Sequence, residues 1–458
     1  MDKDAKFVAA TNHFDQISDY MEGNEATIFT RADWKNTFPT APSENRNLAE
    51  QYLKEMRGFD YKTDPKLGET DTSLVKKSEM PKMKQDNGLG LIDLRGADYY
   101  DPRYEELLDQ LDYDEALPMV LRAFGTSEVA SIGKPATADH DGPQGLGLTG
   151  TGGGFDTCAY CAEPLVAATY NVDLAYEYGL AIGEEALQKD IAINGWYGPA
   201  ANLHRSPFNG RNFEYYSEDP VLTGKICAKT VSGAEEKGLV CYLKHFGWHS
   251  YEGVCTSMLA WCTEQAYRET DMKAFEIALK ESRKTLKYIS DDKGTIAKKV
   301  VRGCSGLMGA ATHIGTDWQA ASYDLITNMT RGEWGFQGVF STDMGLEAMP
   351  GNVDKLLRAG CDVRMHFMAT EKAMDFQTVT LADKSTATYY HCIRHSMKDI
   401  AFAYANSNLM QGAAPGAIVR YKISPWRIWL YVIDGVVGAG IVALVVYSVF
   451  RLRQKEEN

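Results

Sequence analysis

The stretch Arg331-Gly-Glu-Trp-Gly-Phe-Gln-Gly338-Val-Phe-Ser-Thr-Asp343-Met344-Gly345 decides the fold class of this 458-residue chain. A charged, glycine-broken turn leads into a short apolar run, Gly338-Val-Phe-Ser341, which reads as a buried strand. The run ends close to a carboxylate. Burying a carboxylate without a task is costly, so Asp343 is a candidate reacting group. Working outward, Asp190-Ile-Ala-Ile-Asn194, Leu239-Val-Cys-Tyr-Leu243 and Ser305-Gly-Leu-Met308 read as further buried strands. Asp173–Lys189, Gly224–Lys237, Glu264–Ser282 and Ser322–Arg331 read as helices between them. Strand and helix in alternation imply an α/β fold with a parallel sheet. Polar motifs follow the strands, where a (β/α)8 TIM-type barrel places its active-site loops. A doubly wound sheet shows the same alternation. The number of units favours the barrel, expected over 116–410.

Composition narrows the function classes. Hydrophobic residues make up 44% of the chain, enough for a sizeable core. The net charge of −14, with no long Lys/Arg run in the body, argues against nucleic acid as a partner. Nine cysteines follow no regular spacing. Cys158-Ala-Tyr-Cys161 has CxxC spacing but no second pair to complete a zinc site, so neither a metal nor a cofactor is expected.

Four polar segments accompany the opening block. Asn209-Gly-Arg211-Asn-Phe-Glu-Tyr-Tyr-Ser-Glu-Asp-Pro220 combines Asn, Arg, aromatics and carboxylates between turn formers. Arg and Asn offer directed hydrogen bonds and the rings stack on sugar faces, which suits a polyhydroxylated ligand. Asp141-Gly-Pro143 is turn chemistry that exposes a carboxylate. Gly195-Trp-Tyr-Gly-Pro-Ala-Ala-Asn202-Leu-His204-Arg205 leads into the Asn209 segment. Lys244-His245-Phe246 follows the apolar run 239–243, placing two donors at a strand end.

These five blocks, in this order over about 140 to 345, closely resemble the signatures of family-3 glycoside hydrolases, the β-glucosidase group. The resemblance implies an exo-acting retaining glycosidase acting on terminal β-linked sugars of a β-glycoside or oligosaccharide. It implies Asp343 as nucleophile, with Asp141, Arg211, Lys244, His245 and Met308 binding the sugar. A retaining mechanism needs a second carboxyl group as acid/base. In two-domain members that group usually sits on an α/β sandwich domain, and no residue here is assigned to it. Asn12-His-Phe-Asp15 and the segment Glu25 to Pro39 look like the exit from such a domain in a permuted subgroup. Residues 1–115 are therefore expected to be a linker and remnant of a preceding sandwich domain, completed by a separate sandwich-domain chain or a homo-oligomer.

Two departures open alternatives. Gly309-Ala-Ala-Thr312 replaces the family's Ser-aromatic-Asn after Met308, and Gly247-Trp-His249 replaces Ala-x-Asn after Phe246. Lys-His-Phe-x-x-His matches the spacing of β-N-acetylhexosaminidases of the same family, but their Asp-x-His is missing from Ser250–Met258. The other alternative is a non-catalytic carbohydrate-binding homologue.

The C-terminal Ile428–Phe450 is 23 residues with one charge, Asp434. As a helix it measures about 34 Å against a bilayer core of about 30 Å. A single-pass anchor in the cell membrane is expected over 428–450. The barrel is placed outside the cytoplasm on the family's extracellular glycan substrates. The flanking basic residues tie and set no orientation.

Overall fold

The computed structural model describes residues 79–120, 124–147, 157–188, 193–250, 252, 259–260, 262–291, 293–315, 317–344, 353–365, 387–410, 423 and 425–456. The segments resembling a sandwich exit, Asn12–Asp15 and Glu25–Pro39, lie outside them. The chain divides into two compact units, Met1–Gln411 and Gly412–Asn458.

The strands of the first unit are β1 (Asp139–Asp141), β2 (Gly195–Tyr197), β3 (Val240–Phe246), β4 (Leu259–Ala260), β5 (Arg283–Ile289), β6 (Ile296–Arg302), β7 (Gly306–Gly309), β8 (His313–Ile314), β9 (Asp317–Trp318) and β10 (Val339–Thr342). Strands β1, β2, β3, β7 and β10 form one all-parallel sheet in that spatial order. A parallel bridge from Ser341 to Val363 marks the next position. Chain order equals spatial order, so the sheet winds in one direction, as in a TIM-type barrel. A doubly wound sheet reverses at a switch point. The arc supplies five of the eight strands expected, and residues 366–386 lie outside the described residues.

Both faces of this sheet are covered, which is why its strands read as unbroken apolar runs. Cys241, Leu243, Leu307 and Phe340 pack against α1 (Val172–Leu187), α2 (Pro220–Glu236) and α3 (Asp271–Glu281). Val240, Tyr242, Met308 and Val339 form a second cluster with Leu94, Leu107 and α4 (Ala387–Ala405). Residues 91–113, within the stretch expected to be a linker, thus contribute core side chains. A helix spans Tyr113–Val120 and ends two residues after Pro118.

Local chemistry sets the element ends. Asp219 accepts from Val221 and Leu222 N–H, and Pro220 occupies the first turn, so the end of the Asn209–Pro220 segment launches α2. Helices α1 and α2 approach closely because Gly179 meets the Thr230 carbonyl where any Cβ would collide. The single helix expected over Glu264–Ser282 divides at Thr270 into Glu264–Glu269 and α3. Of the strand expected at Asp190–Asn194, residues 190–192 lie outside the described residues; the described strand is Gly195–Tyr197. Asn194 instead uses its side chain to hold Ala138 N–H and Asn408. An antiparallel hairpin, β5–β6, stands between α3 and β7, where no element was expected.

In the second unit α5 (Pro425–Glu456) is one helix, and an 18-residue stretch within Pro425–Gln454 has a mean hydropathy of 2.2, long and apolar enough to cross a membrane.

Candidate active site

The polar residues singled out in the sequence gather at the C-terminal ends of the parallel strands. Asp141 closes β1, Lys244 and His245 lie near the end of β3, and Asp343 follows β10 directly. Lys244 is buried and its Nζ donates to Asp141 Oδ1 at 2.7 Å. On its other side Lys244 Nζ stands 3.7 Å from Glu214 Oε2. Glu214, fully buried, accepts from Arg211 Nε. Arg211 then reaches Glu252, with Nη1 at 3.4 Å from Oε2. Glu252 bonds His249 Nε2 at 2.6 Å. The His249 ring stacks on His245 at 4.4 Å, and His245 Nε2 stands 3.7 Å from Asp343 Oδ2. Alternating charges and rings therefore link Asp141 to Asp343 without a gap.

Backbone constraints hold these groups in place. Asn202 accepts from His245 N–H at 2.8 Å and donates to the carbonyls of His245 and Gly247. The Lys244–His245 peptide is cis. Asp343 N–H donates to Gly309 O at 3.0 Å, tying the nucleophile candidate to the end of β7. Gln319 accepts from Trp248 N–H at 2.7 Å, and both Gln319 and Thr312 donate to Trp248 O. The two departures noted in the sequence are thus one contact: Thr312 belongs with Trp248.

Electrostatics separate the carboxyl groups. Burial pushes the Asp343 carboxyl up, opposed by the Arg211 and Lys244 cations and by the Met344 N–H. His245 is driven well below the usual imidazole range by burial and by the Arg211 and Lys244 charges, so it is neutral at pH 7. Burial raises Glu252, but His249 and Arg211 outweigh it and bring the group to about 2. Glu252 is therefore an anion, although its side chain is 45% exposed at the rim. Glu163 is raised well above the usual carboxylate range, first by burial and then by Glu214, but it is fully enclosed. Among the described residues the carboxyl groups held high are Asp139, Glu163, Asp343 and Asp362, and only Asp343 is not fully buried.

Met308 is 2% exposed and packs in the cluster with Tyr197, Tyr242 and Val339. Arg205 does not join the site; it pairs with Asp271 at the start of α3. Glu214, Glu252 and the His249 link were missed as functional groups. Glu214 stood inside the Asn209–Pro220 segment, and Glu252 lies three residues after His249, spacing that could have flagged both. The acid partner of His249 is Glu252 rather than an Asp-x-His. No group of His, Cys, Asp and Glu among the described residues is arranged to hold a metal. A cleft of about 480 Å³ lies at the opposite, strand N-terminal end, lined by Tyr99, Arg331, Phe336 and Arg394.

Residues 147–387 match the model of the glycosyl hydrolase family 3 N terminal domain. Beta-glucosidase A of Butyrivibrio fibrisolvens is 35% identical over 253 residues, 55% of this chain and 27% of that protein. A beta-glucosidase of Ruminococcus albus is 32% identical over 277 residues, 58% of this chain and 26% of that protein. The chain thus spans about a quarter of the length of these curated relatives. Beta-glucosidase 3B of Thermotoga neapolitana, solved with α-D-glucose, superposes with a TM-score of 0.54 at 26% identity, covering 68% of this chain and 43% of that one.

Proposed function

From the premise that the chain belongs to glycosyl hydrolase family 3, we propose that it is a retaining, β-glucosidase-like glycosidase whose nucleophile is Asp343. The observation that carries this reading is the continuous run of polar side chains from Asp141 through Lys244, Glu214, Arg211, Glu252 and the two histidines to Asp343. In the first step the Asp343 carboxylate attacks the anomeric carbon. The bond to the leaving oxygen breaks and a glycosyl ester forms. In the second, water releases the sugar and regenerates the carboxylate. Arg211 and Lys244 place positive charge around Asp343, which opposes the effect of burial and favours the anion. Neutral His245 can both donate to and accept from a sugar hydroxyl, and the Asp141–Lys244 pair offers an acceptor and a donor next to it. Met308 supplies the apolar floor.

The proton donor is a separate matter. Glu252, the open carboxylate of the rim, is ionised, and apart from the nucleophile Asp343 the described carboxyl groups that hold protons more tightly are enclosed. The donor in this reading comes from outside the described residues of this chain or from a partner chain. Asp343→Asn assayed on a dinitrophenyl β-glucoside, with and without azide, tests the nucleophile. Loss of turnover with azide rescue supports it; undiminished turnover rejects it. Comparing cellobiose with the dinitrophenyl substrate in the unmodified chain tests the donor. Equal turnover on both places a proton donor among the residues already present. The non-catalytic alternative predicts sugar binding with no turnover on either substrate.

The chain is further read as anchored in a membrane by α5, on its length and hydropathy, with the barrel outside the cytoplasm. Protease added to intact cells should then remove the barrel and leave the anchor. A protected barrel reverses the orientation.

A further inference from the structure

The β5–β6 hairpin carries the feature that the glycosidase reading leaves unused. Its seven basic residues against two acidic ones over 283–302 stand out in a chain of net charge −14. One face is anchored: Lys284 pairs with buried Glu235 at 2.8 Å, Lys299 with Asp98 at 2.8 Å, Leu286 is buried, and Arg95 Nε donates to Lys287 O. The other face is composed of directly opposed pairs, Arg283 with Arg302, Thr285 with Val300, Lys287 with Lys298 and Ile289 with Ile296. Two of those four pairs set like charges across the ribbon, an arrangement that weakens a sheet. Among the described residues none of these four cations has a carboxylate partner; Arg283 and Arg302 bond only backbone carbonyls. Between the cations stand three aliphatic side chains, Ile289 at 64%, Ile296 at 69% and Val300 at 70% exposure.

We propose that this face docks on an anionic lipid bilayer, the cations meeting headgroup phosphates and carboxylates while Ile289, Ile296 and Val300 enter the acyl boundary. A nucleic-acid groove offers the same charge but calls for stacking rings. This face has aliphatics instead, and the same chain carries an apolar helix of membrane-spanning length. Lysine stems can lie along apolar surface with their ammonium groups in the headgroup layer. Asp291, held as an anion by Lys293 and Thr295 N–H in the turn, offsets part of this charge, and the four cations of the face outnumber it. The hairpin precedes β7 and so lies at the strand N-terminal end, which leaves Asp343, at the other end, open to solution. The proposal rests on the hairpin alone and stands or falls apart from the catalytic reading.

The test uses the full chain reconstituted in phosphatidylcholine vesicles with or without phosphatidylserine. Ile296→Cys carries a bimane label and brominated acyl chains act as the quencher. The same chain without that cysteine, treated identically, gives the background. Quenching at position 296 should appear with phosphatidylserine and fade in high salt. Each basic residue near an anionic surface raises the docked-to-undocked ratio about five-fold. K287E/K298E should therefore return the signal to that of neutral vesicles, and the milder K287Q/K298Q should give an intermediate loss. Both lysines are exposed, so circular dichroism should be unchanged, and the milder pair keeps the test alive if charge reversal perturbs the hairpin. Equal quenching with and without phosphatidylserine, no quenching in either, or indifference to both lysine pairs overturns the proposal. A bimane response to an RNA oligonucleotide but not to phosphatidylserine makes the face a nucleic-acid site and also rejects it.

Discussion

Two buried charge networks occupy opposite ends of the parallel sheet, each built on an arginine between two carboxylates. At the strand N-termini Arg331 holds Asp362 at 2.8 Å and Asp399 at 3.0 Å, and donates to the carbonyls of Gly338 and Gly360. Asp362 also accepts from Phe340 N–H, and Tyr99 donates to Asp399 at 2.6 Å. Both carboxylates are fully buried. At the strand C-termini Arg211 holds buried Glu214, but its second carboxylate, Glu252, is 45% exposed. There the Asp343–His245 approach is a loose 3.7 Å and His245 Nδ1 has no partner among the described residues. The residue types match; the exposure differs. A network enclosed on all sides clamps strands together, whereas one that reaches solvent can turn donors and acceptors to a ligand.

The comparison can be broken at its most open point first. Asp343→Asn should lower turnover of an activated aryl glucoside by roughly 10⁴-fold while leaving sugar binding and the melting temperature nearly unchanged. A folded variant with full activity would remove the catalytic meaning of the open end. Arg331→Leu should do the reverse. Removing one partner of a buried pair typically costs about 3–5 kcal/mol of stability. Chemical denaturation should show that loss, with kcat little altered where the protein is still folded. A silent Arg331→Leu would mean that the closed network clamps nothing.

Arg211→Gln sharpens the contrast through pH. Asp343 must be ionised to attack, and its carboxyl already sits above its ordinary value because of burial, with Arg211 the first of the charges pulling it down. Without that cation the pKa rises further, so the acid limb of kcat/KM should move to higher pH and activity should be lost first on the acidic side. An acid limb that stays put or moves down argues that Asp343 does not set it. Glu252→Gln should be the mildest change, about ten-fold or less in kcat/KM and similar for cellobiose and dinitrophenyl substrates, because Glu252 positions His249 and Arg211. A loss of about 10²–10⁴-fold confined to the poorer leaving group would instead identify it as the proton donor.

Three strands of the arc are legible because each is buried on both faces, whereas the short β1 (Asp139–Asp141) is polar and reads as a turn. The runs at 239–243, 305–308 and 338–341 correspond to β3, β7 and β10 within a few residues. The β2 residues Gly195-Trp-Tyr197 open a polar segment and carry too short a pattern to mark a strand, while the apolar run before them lies partly outside the described residues. The hairpin was overlooked although Thr285–Ile289 and Ile296–Val301 flank a turn-forming Asp-Asp-Lys-Gly. One of its faces is solvent-exposed, so its alternation was masked by lysines. For the site, motif residues with a local signature, Asp141, Arg211, Lys244, His245 and Asp343, could be named from order along the chain. Glu214 and Glu252 stand at local spacings from Arg211 and His249, but their approach to Lys244 and Arg211 across the loops is a contact that spacing does not encode.

The sequence by itself determined the family, the parallel arrangement of its strands, the identity of Asp343 as the carboxylate at a strand end, and the length of the apolar C-terminal helix. These follow from local pattern and motif, which need no knowledge of distant neighbours. Only the tertiary structure decided which carboxylates are charged. Glu252 is held near 2 by His249 and Arg211, whereas Glu163, with the same side chain, is held high by burial beside Glu214. Ionisation depends on what surrounds a group in three dimensions, and residues as far apart as Arg211 and Glu252 become neighbours only when the loops after β2 and β3 fold against one another.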